Sequence, residues 1–179
     1  AWGFAIAHPA MVEKLIIVNA PHPAIFAREL ARNPAQAQAS QYMLFFRSPA
    51  AEGILAADNF KALWEQTYDK LLQSGRITAA DKAAYLAAWG QPGALTGGLN
   101  WYRATPLRPP AGGGGGGDEG PPQLDPERFM VRVPTLVIWG MQDTALLTDN
   151  LDGLERFVPD LRIHLIEEAG HWVLEELPV

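Results

Sequence analysis

Thr135-Leu136-Val137-Ile138-Trp139-Gly140-Met141-Gln142-Asp143 is the stretch that decides the fold. Its β-branched and Leu-rich start, Thr135–Trp139, reads as a short buried strand, and the turn after it delivers a carboxylate. A second such run, Leu161–Ile166, is followed by Gly170-His171-Trp172, which delivers an imidazole in the same way. Side chains placed just past strand ends are where an open α/β sheet binds its ligands. An acid followed by a histidine is the later half of a triad whose chain order is nucleophile, acid, histidine. The nucleophile is then expected earlier in the protein, outside these residues.

Working outward, Val12–Val18 predicts another buried strand, closed by Asn19-Ala20-Pro21. Before it, Trp2, Phe4, Ala5 and Ile6 form an apolar helical segment that stops at His8-Pro9. The chain therefore opens in the helix between two parallel strands, and it stops at Leu177-Pro178-Val179, just into the helix expected after His171. Three parallel strands need covering helices and would leave a sheet edge bare. The chain reads as a fragment of a larger α/β protein.

Between these strand regions lies a different composition. Helical spacing without a convincing strand predicts a helix over Ala24–Arg32, another beginning at Ser40–Phe46, and a third over Leu95–Arg103. Phe60, Leu63, Trp64, Tyr68 and Leu71 give Asn59–Gln73 an amphipathic face. Thr78 and Asp81 form a capping pair at the start of Thr78–Trp89. An all-helical insert over strand ends is placed to exclude water from a site. The expected organisation is core over residues 1–21, helical cap over 22–108, Gly/Pro-rich linker over 109–124 and core again over 125–179. The six glycines Gly112–Gly117 do not make a phosphate loop, because Asp118-Glu119 stands where Gly-Lys-Ser/Thr would be required.

A formal net charge of −6 without clustered Lys and Arg argues against nucleic acid. No apolar stretch approaches the ~20 residues of a membrane span, and the first residues lack the basic start of a signal peptide. Without cysteine there is no thiolate nucleophile and no Cys-based metal site. Cytoplasmic residence is the default expectation, and a homo-oligomer is left open.

Read alone, His171 is a loop histidine and Asp143 a helix N-cap; read together, the carboxylate can accept the imidazole Nδ1–H and fix its tautomer. His8, His22 and His164 read as structural, at a helix end, a Pro-bounded turn and a strand face. Tyr42 and Tyr102 each read as packing residues unless they face a pocket, where a phenol can donate to an oxygen gaining charge. Tyr68 and Tyr85 keep the packing reading.

Taken in order, Ala1-Trp2-Gly3, Asn19-Ala20-Pro21-His22-Pro23, Tyr42-Met43-Leu44-Phe45-Phe46, Leu99-Asn100-Trp101-Tyr102-Arg103, Trp139–Asp143 and Gly170-His171-Trp172 resemble the epoxide hydrolase branch of the α/β-hydrolases. The resemblance spans nearly the whole chain, which is similar to the C-terminal two-thirds of such an enzyme; the Gly-rich stretch departs from the family's shorter connection. It implies a partial α/β-hydrolase fold with a helical cap, and an Asp nucleophile and oxyanion loop upstream, so that this stretch alone is expected to be inactive. It also implies Tyr42 and Tyr102 as ring-opening acids, Asp143 as the triad acid and His171 as the base, with a small-molecule epoxide as substrate and no metal or organic cofactor. Phe46, Trp101, Ala145 and Trp172, beside these four, are the substrate-binding candidates. A haloalkane or haloacid dehalogenase shares the same triad, but a haloacid site is expected to carry His-Trp where this chain has Tyr42-Met43-Leu44. A serine esterase of the same fold and a non-catalytic binding protein are the remaining alternatives.

Overall fold

The structure, a computed structural model, describes residues 1–111 and 125–177. The glycine run Gly112–Gly117, and with it most of the expected linker, lies outside the described residues. The chain divides into two compact units, Ala1–Gln41 with Leu107–Val173, and Tyr42–Pro106 with Leu174–Val179.

The first unit is built on three parallel strands in the order β1 (Leu15–Val18), β2 (Thr135–Gly140) and β3 (Leu161–Ile166). Leu15 pairs with Thr135 and Thr135 with Leu161, so the carboxyl ends of β2 and β3 finish level, at Gly140 and Ile166. That register is what brings the two polar loops side by side. β2 is the central strand, and its Thr135, Val137 and Trp139 are buried. β1 departs from the expected seven-residue buried strand. Val12 closes the turn begun at Pro9, and pairing starts only where the Leu15 N–H reaches the Pro134 carbonyl. The strand is four residues long, and only alternate positions are buried, with Ile16 exposed.

The first unit also holds α1 (Trp2–Ala7), α2 (Pro23–Arg32) and α3 (Pro34–Ala39). The expected cap began at residue 22, but α2 and α3 group with the first unit. The reason lies in long-range bonds that local spacing does not reveal. His22 is fully buried, stacks on Phe157 at 4.8 Å and meets the Phe129 carbonyl through Nε2 at 3.0 Å. Burial pushes its pKa down to about 4, against the opposing pull of that carbonyl, so it is a neutral core residue at physiological pH. Arg28 donates to the Asp152 carbonyl at 2.8 Å. Asn33 caps α3 by accepting from the Ala35 and Gln36 amides.

The second unit holds α4 (Tyr42–Arg47), α5 (Ala51–Thr67), α6 (Asp69–Gln73), α7 (Ala79–Trp89) and α8 (Ala94–Ala104). Thr78 and Asp81 form the reciprocal capping box expected at the start of α7, each side chain satisfying the other's backbone N–H. The helix expected over Asn59–Gln73 is differently arranged. Helical residues begin at Ala51, the chain kinks through Asp58, Asn59 and Phe60 at φ 50, 55 and 62, and a second break at Tyr68 separates α6. Asp and Asn tolerate the left-handed region because their short side chains bond locally, whereas Phe60 does not share that excuse. Its ring lies against Trp89 at 5.9 Å. Trp64, Tyr68, Tyr85 and Trp89 form one aromatic cluster, with Tyr68 and Tyr85 stacked at 4.4 Å. Ala51, Leu55 and Leu99 make a second core, flanked by Phe45, Phe46, Leu63 and Leu95. Among the described residues no helix is long and apolar enough to cross a membrane.

Candidate active site

At the end of β2, the side chain of a residue larger than glycine has no room. A methyl at Gly140 would overlap the carbonyl oxygens of Gly170 and Ala169. The glycine lets the acid loop and the histidine loop press together, and backbone bonds then zip them. Met141 N–H bonds the Ile166 carbonyl at 2.9 Å and Gln142 N–H bonds that of Ala169 at 2.8 Å.

Asp143 and His171 meet in this zipped region, Oδ2 to Nδ1 at 2.7 Å. The carboxylate side chain is fully buried while the imidazole stays one-third exposed. The two oxygens of Asp143 have different partners, and neither caps a helix, because the next helical turn is Thr148–Leu151, preceded by Leu147. Oδ1 accepts from the backbone amides of Ala145 and Leu146 at 2.8 and 2.9 Å, closing the turn that follows β2. Oδ2 takes His171 and, at 2.6 Å, the Asn19 amide. Burial alone would push this carboxyl up. The hydrogen bond and charge of His171, with the Leu146 amide and Asn19, outweigh it and hold the carboxyl below its ordinary value. An ionised carboxylate has only acceptors, so Nδ1 of His171 carries the proton and donates it to Oδ2. In the neutral imidazole this tautomer puts the lone pair on Nε2, which is the form a general base requires.

The acid loop is held from a second side by Gln36 of α3, itself fully buried. Its Nε2 donates to the Ala145 carbonyl at 2.9 Å, and its Oε1 accepts from Leu147 N–H at 2.9 Å and from Asn150 at 2.6 Å. Ala145 thus belongs to the loop that cradles Asp143, and the Trp172 ring meets the His171 ring edge-on at 4.8 Å.

In the second unit, Tyr42 of α4 and Tyr102 of α8 lie with ring centroids 6.0 Å apart at 82°. Phe46, one turn along α4, completes a triangle of edge-to-face rings, 5.4 Å from Tyr42 and 4.9 Å from Tyr102. Burial raises the Tyr102 pKa, and the hydrogen bond from Tyr42 pulls the other way without reversing it, so Tyr102 stays a protonated donor at neutral pH. Two arginines brace the helices. Arg47 of α4 donates to the Tyr102 and Thr105 carbonyls at the end of α8, where a cation also suits the helix dipole. Arg103 makes a two-pronged bond to Glu52, holding its carboxyl down at about 2. Trp101 is set apart from this triangle by its exposure of 69%.

The structure therefore groups Asp143, His171, Ala145 and Trp172 in one unit, and Tyr42, Tyr102 and Phe46 in the other. Sequence reasoning passed over Asn19 and Gln36. Asn19 had a signal, an Asn closing a strand, where a left-handed residue is common. Gln36 had none, because the partners that tie it to the acid loop, Ala145, Leu147 and Asn150, lie more than a hundred positions away. Among the described residues, no group of three or more His, Asp or Glu side chains is placed to hold a metal ion.

Comparison with known proteins agrees with this fold. A family model described as alpha/beta hydrolase fold matches residues 1–178. Epoxide hydrolase 4 of Homo sapiens is 32% identical over 188 residues, a match that covers 99% of this chain and 47% of that protein. The crystal structure of a mutant epoxide hydrolase from Bacillus megaterium superposes with a TM-score of 0.83 at 30% identity, covering 99% of this chain and 60% of that one. A structure described among novel epoxide hydrolases from metagenomes of hot environments gives a TM-score of 0.77 at 36% identity, covering 97% of this chain and 58% of that one. The chain thus spans about half the length of the curated relative and three-fifths of the solved structures.

Proposed function

Since this chain belongs to the alpha/beta hydrolase fold family, we propose that the protein to which it belongs opens epoxides to vicinal diols through a covalent ester. The single observation that carries this reading is the pair of phenols on α4 and α8, with ring centroids 6.0 Å apart. Similarity to epoxide hydrolases supports it.

A carboxylate nucleophile, supplied by sequence outside these residues, attacks one ring carbon. The carbon–oxygen bond of the ring breaks, and its electron pair goes to an oxygen far too basic to leave unassisted at neutral pH. Tyr42 and Tyr102 bind that oxygen and supply its proton. In the second step, His171 Nε2 takes a proton from water and the hydroxide attacks the ester carbonyl. The acyl–oxygen bond breaks, the diol leaves with the proton from the imidazolium, and the carboxylate is restored. The carboxyl group formed by that attack gives up its proton, which restores the phenol, so one water is added and nothing else is consumed. Asp143 keeps His171 in the tautomer that makes this possible. Phe46, Ala145 and Trp172 are proposed to contact the substrate's carbon frame, with Trp101 the weakest of the four because of its exposure.

In the complete protein, His171→Gln should still let the nucleophile be alkylated while blocking ester hydrolysis. Mass spectrometry after exposure to an epoxide should then find a trapped adduct. Full loss of activity with no adduct would show that His171 acts before or during attack.

A further inference from the structure

Asn19 ends β1 with φ 39, in the left-handed region, where Asn is among the few side chains tolerated. It is buried, and every polar atom of its side chain is engaged. Oδ1 accepts from the Gly140 N–H at 2.8 Å, at the very end of β2. That bond settles the orientation of the amide, because only an acceptor can face an N–H. Nδ2 must then be the atom that meets the Asp143 Oδ2 at 2.6 Å and the Gly170 carbonyl at 3.2 Å. One amide, 124 positions from Asp143 in the chain, thus touches the strand end that precedes the acid, the acid itself, and the residue that precedes the histidine.

Resting on the reading of Asp143 and His171 as the water-activating pair, we infer that Asn19 is a positioning residue for ester hydrolysis, setting the Asp143 carboxylate against the His171 imidazole. The geometry gives it two jobs. It donates to the same oxygen that receives the His171 Nδ1–H, so that oxygen cannot rotate away without breaking two bonds at once. It also ties the Gly170 carbonyl to the end of β2, which holds the loop carrying His171 in place. Asn19 touches neither substrate nor water in this scheme and has no part in ring opening. Its loss should therefore divide the two half-reactions.

Asn19→Gly removes the amide and leaves the left-handed backbone unstrained. In the complete protein, single-turnover kinetics should show epoxide alkylation at close to the unsubstituted rate and ester hydrolysis slowed by about 10²-fold, the scale of a small misplacement of a catalytic group. By proton NMR, the low-field resonance of the His171 Nδ1–H, assigned by its loss in His171→Gln, should shift or broaden in Asn19→Gly. Hydrolysis at the original rate with an unmoved resonance would overturn the inference. If Asn19→Gly does not fold, the unsubstituted protein and His171→Gln supply the answer. Asn19 side-chain amide protons should shift between these two, because both groups share Oδ2, and amide signals that do not move would equally overturn it. The NMR arm is independent of the chemistry proposed above. A protein that forms no ester but shows these spectral changes would sink the epoxide reading and leave Asn19 as the residue that positions the pair.

Discussion

Replacing Asp143 by Asn is expected to slow ester hydrolysis by about 10⁴-fold, because the change inverts the tautomer of His171. The amide keeps one acceptor for the Ala145 and Leu146 N–H groups, so the loop should retain its course. Its other end would be an NH₂ facing two groups that now both donate, the His171 Nδ1–H and the Asn19 amide. The imidazole can escape by moving its proton to Nε2, which removes the lone pair that accepts from water. Single-turnover measurement of ester decay in the complete protein reads this directly, and a loss below tenfold would mean the pair is structural. A stability measurement gives an independent check. The Asp143 carboxyl lies below its ordinary value in the folded state, so it favours folding fully above the unfolded pKa and loses that contribution as the pH falls through the folded one. The part of the acid-induced loss of stability that Asp143 contributes should be missing from Asp143→Asn.

Removing the hydroxyls of Tyr42 and Tyr102 should be as severe, but on the other half-reaction. A donor aimed at developing charge contributes roughly 3 kcal/mol. Either Tyr→Phe change alone should slow ring opening, with the remaining phenol partly compensating. Both together should nearly abolish alkylation while leaving decay of a preformed ester intact. The substitutions keep the aromatic rings, so the edge-to-face triangle with Phe46 and the braces from Arg47 and Arg103 should persist. Circular dichroism should therefore be unchanged. A double variant that opens epoxides at the original rate would make the two tyrosines packing residues, and the epoxide assignment would fall with them.

What was legible in the sequence was local. Strand runs bounded by Gly and polar turns located β2 and β3, and the Thr78–Asp81 pair marked the start of α7 to the residue. Level strand ends follow from the register, which is why two loops read separately could be expected to meet. Long-range bonds were not legible. The placing of α2 and α3 with the sheet depends on His22, Arg28 and Gln36 finding partners far along the chain. The helix expected over Asn59–Gln73 starts inside the left-handed break at Asp58–Phe60, and its apolar spacing runs through the second break at Tyr68, so periodicity alone reads one helix where the backbone makes two. Asn19 was read as a strand terminator, which it is, but its three side-chain bonds depend on β1 lying beside β2.

In the chemistry proposed above, water attacks an ester held on the protein and never the epoxide itself. A single turnover of the complete protein, in excess over styrene oxide and in water enriched in heavy oxygen, tests it most directly. The diol should come out without the heavy isotope, and the nucleophile carboxylate should have gained it, found by mass spectrometry of its peptide. A diol carrying the isotope after that first turnover, with an unlabelled protein, would contradict it.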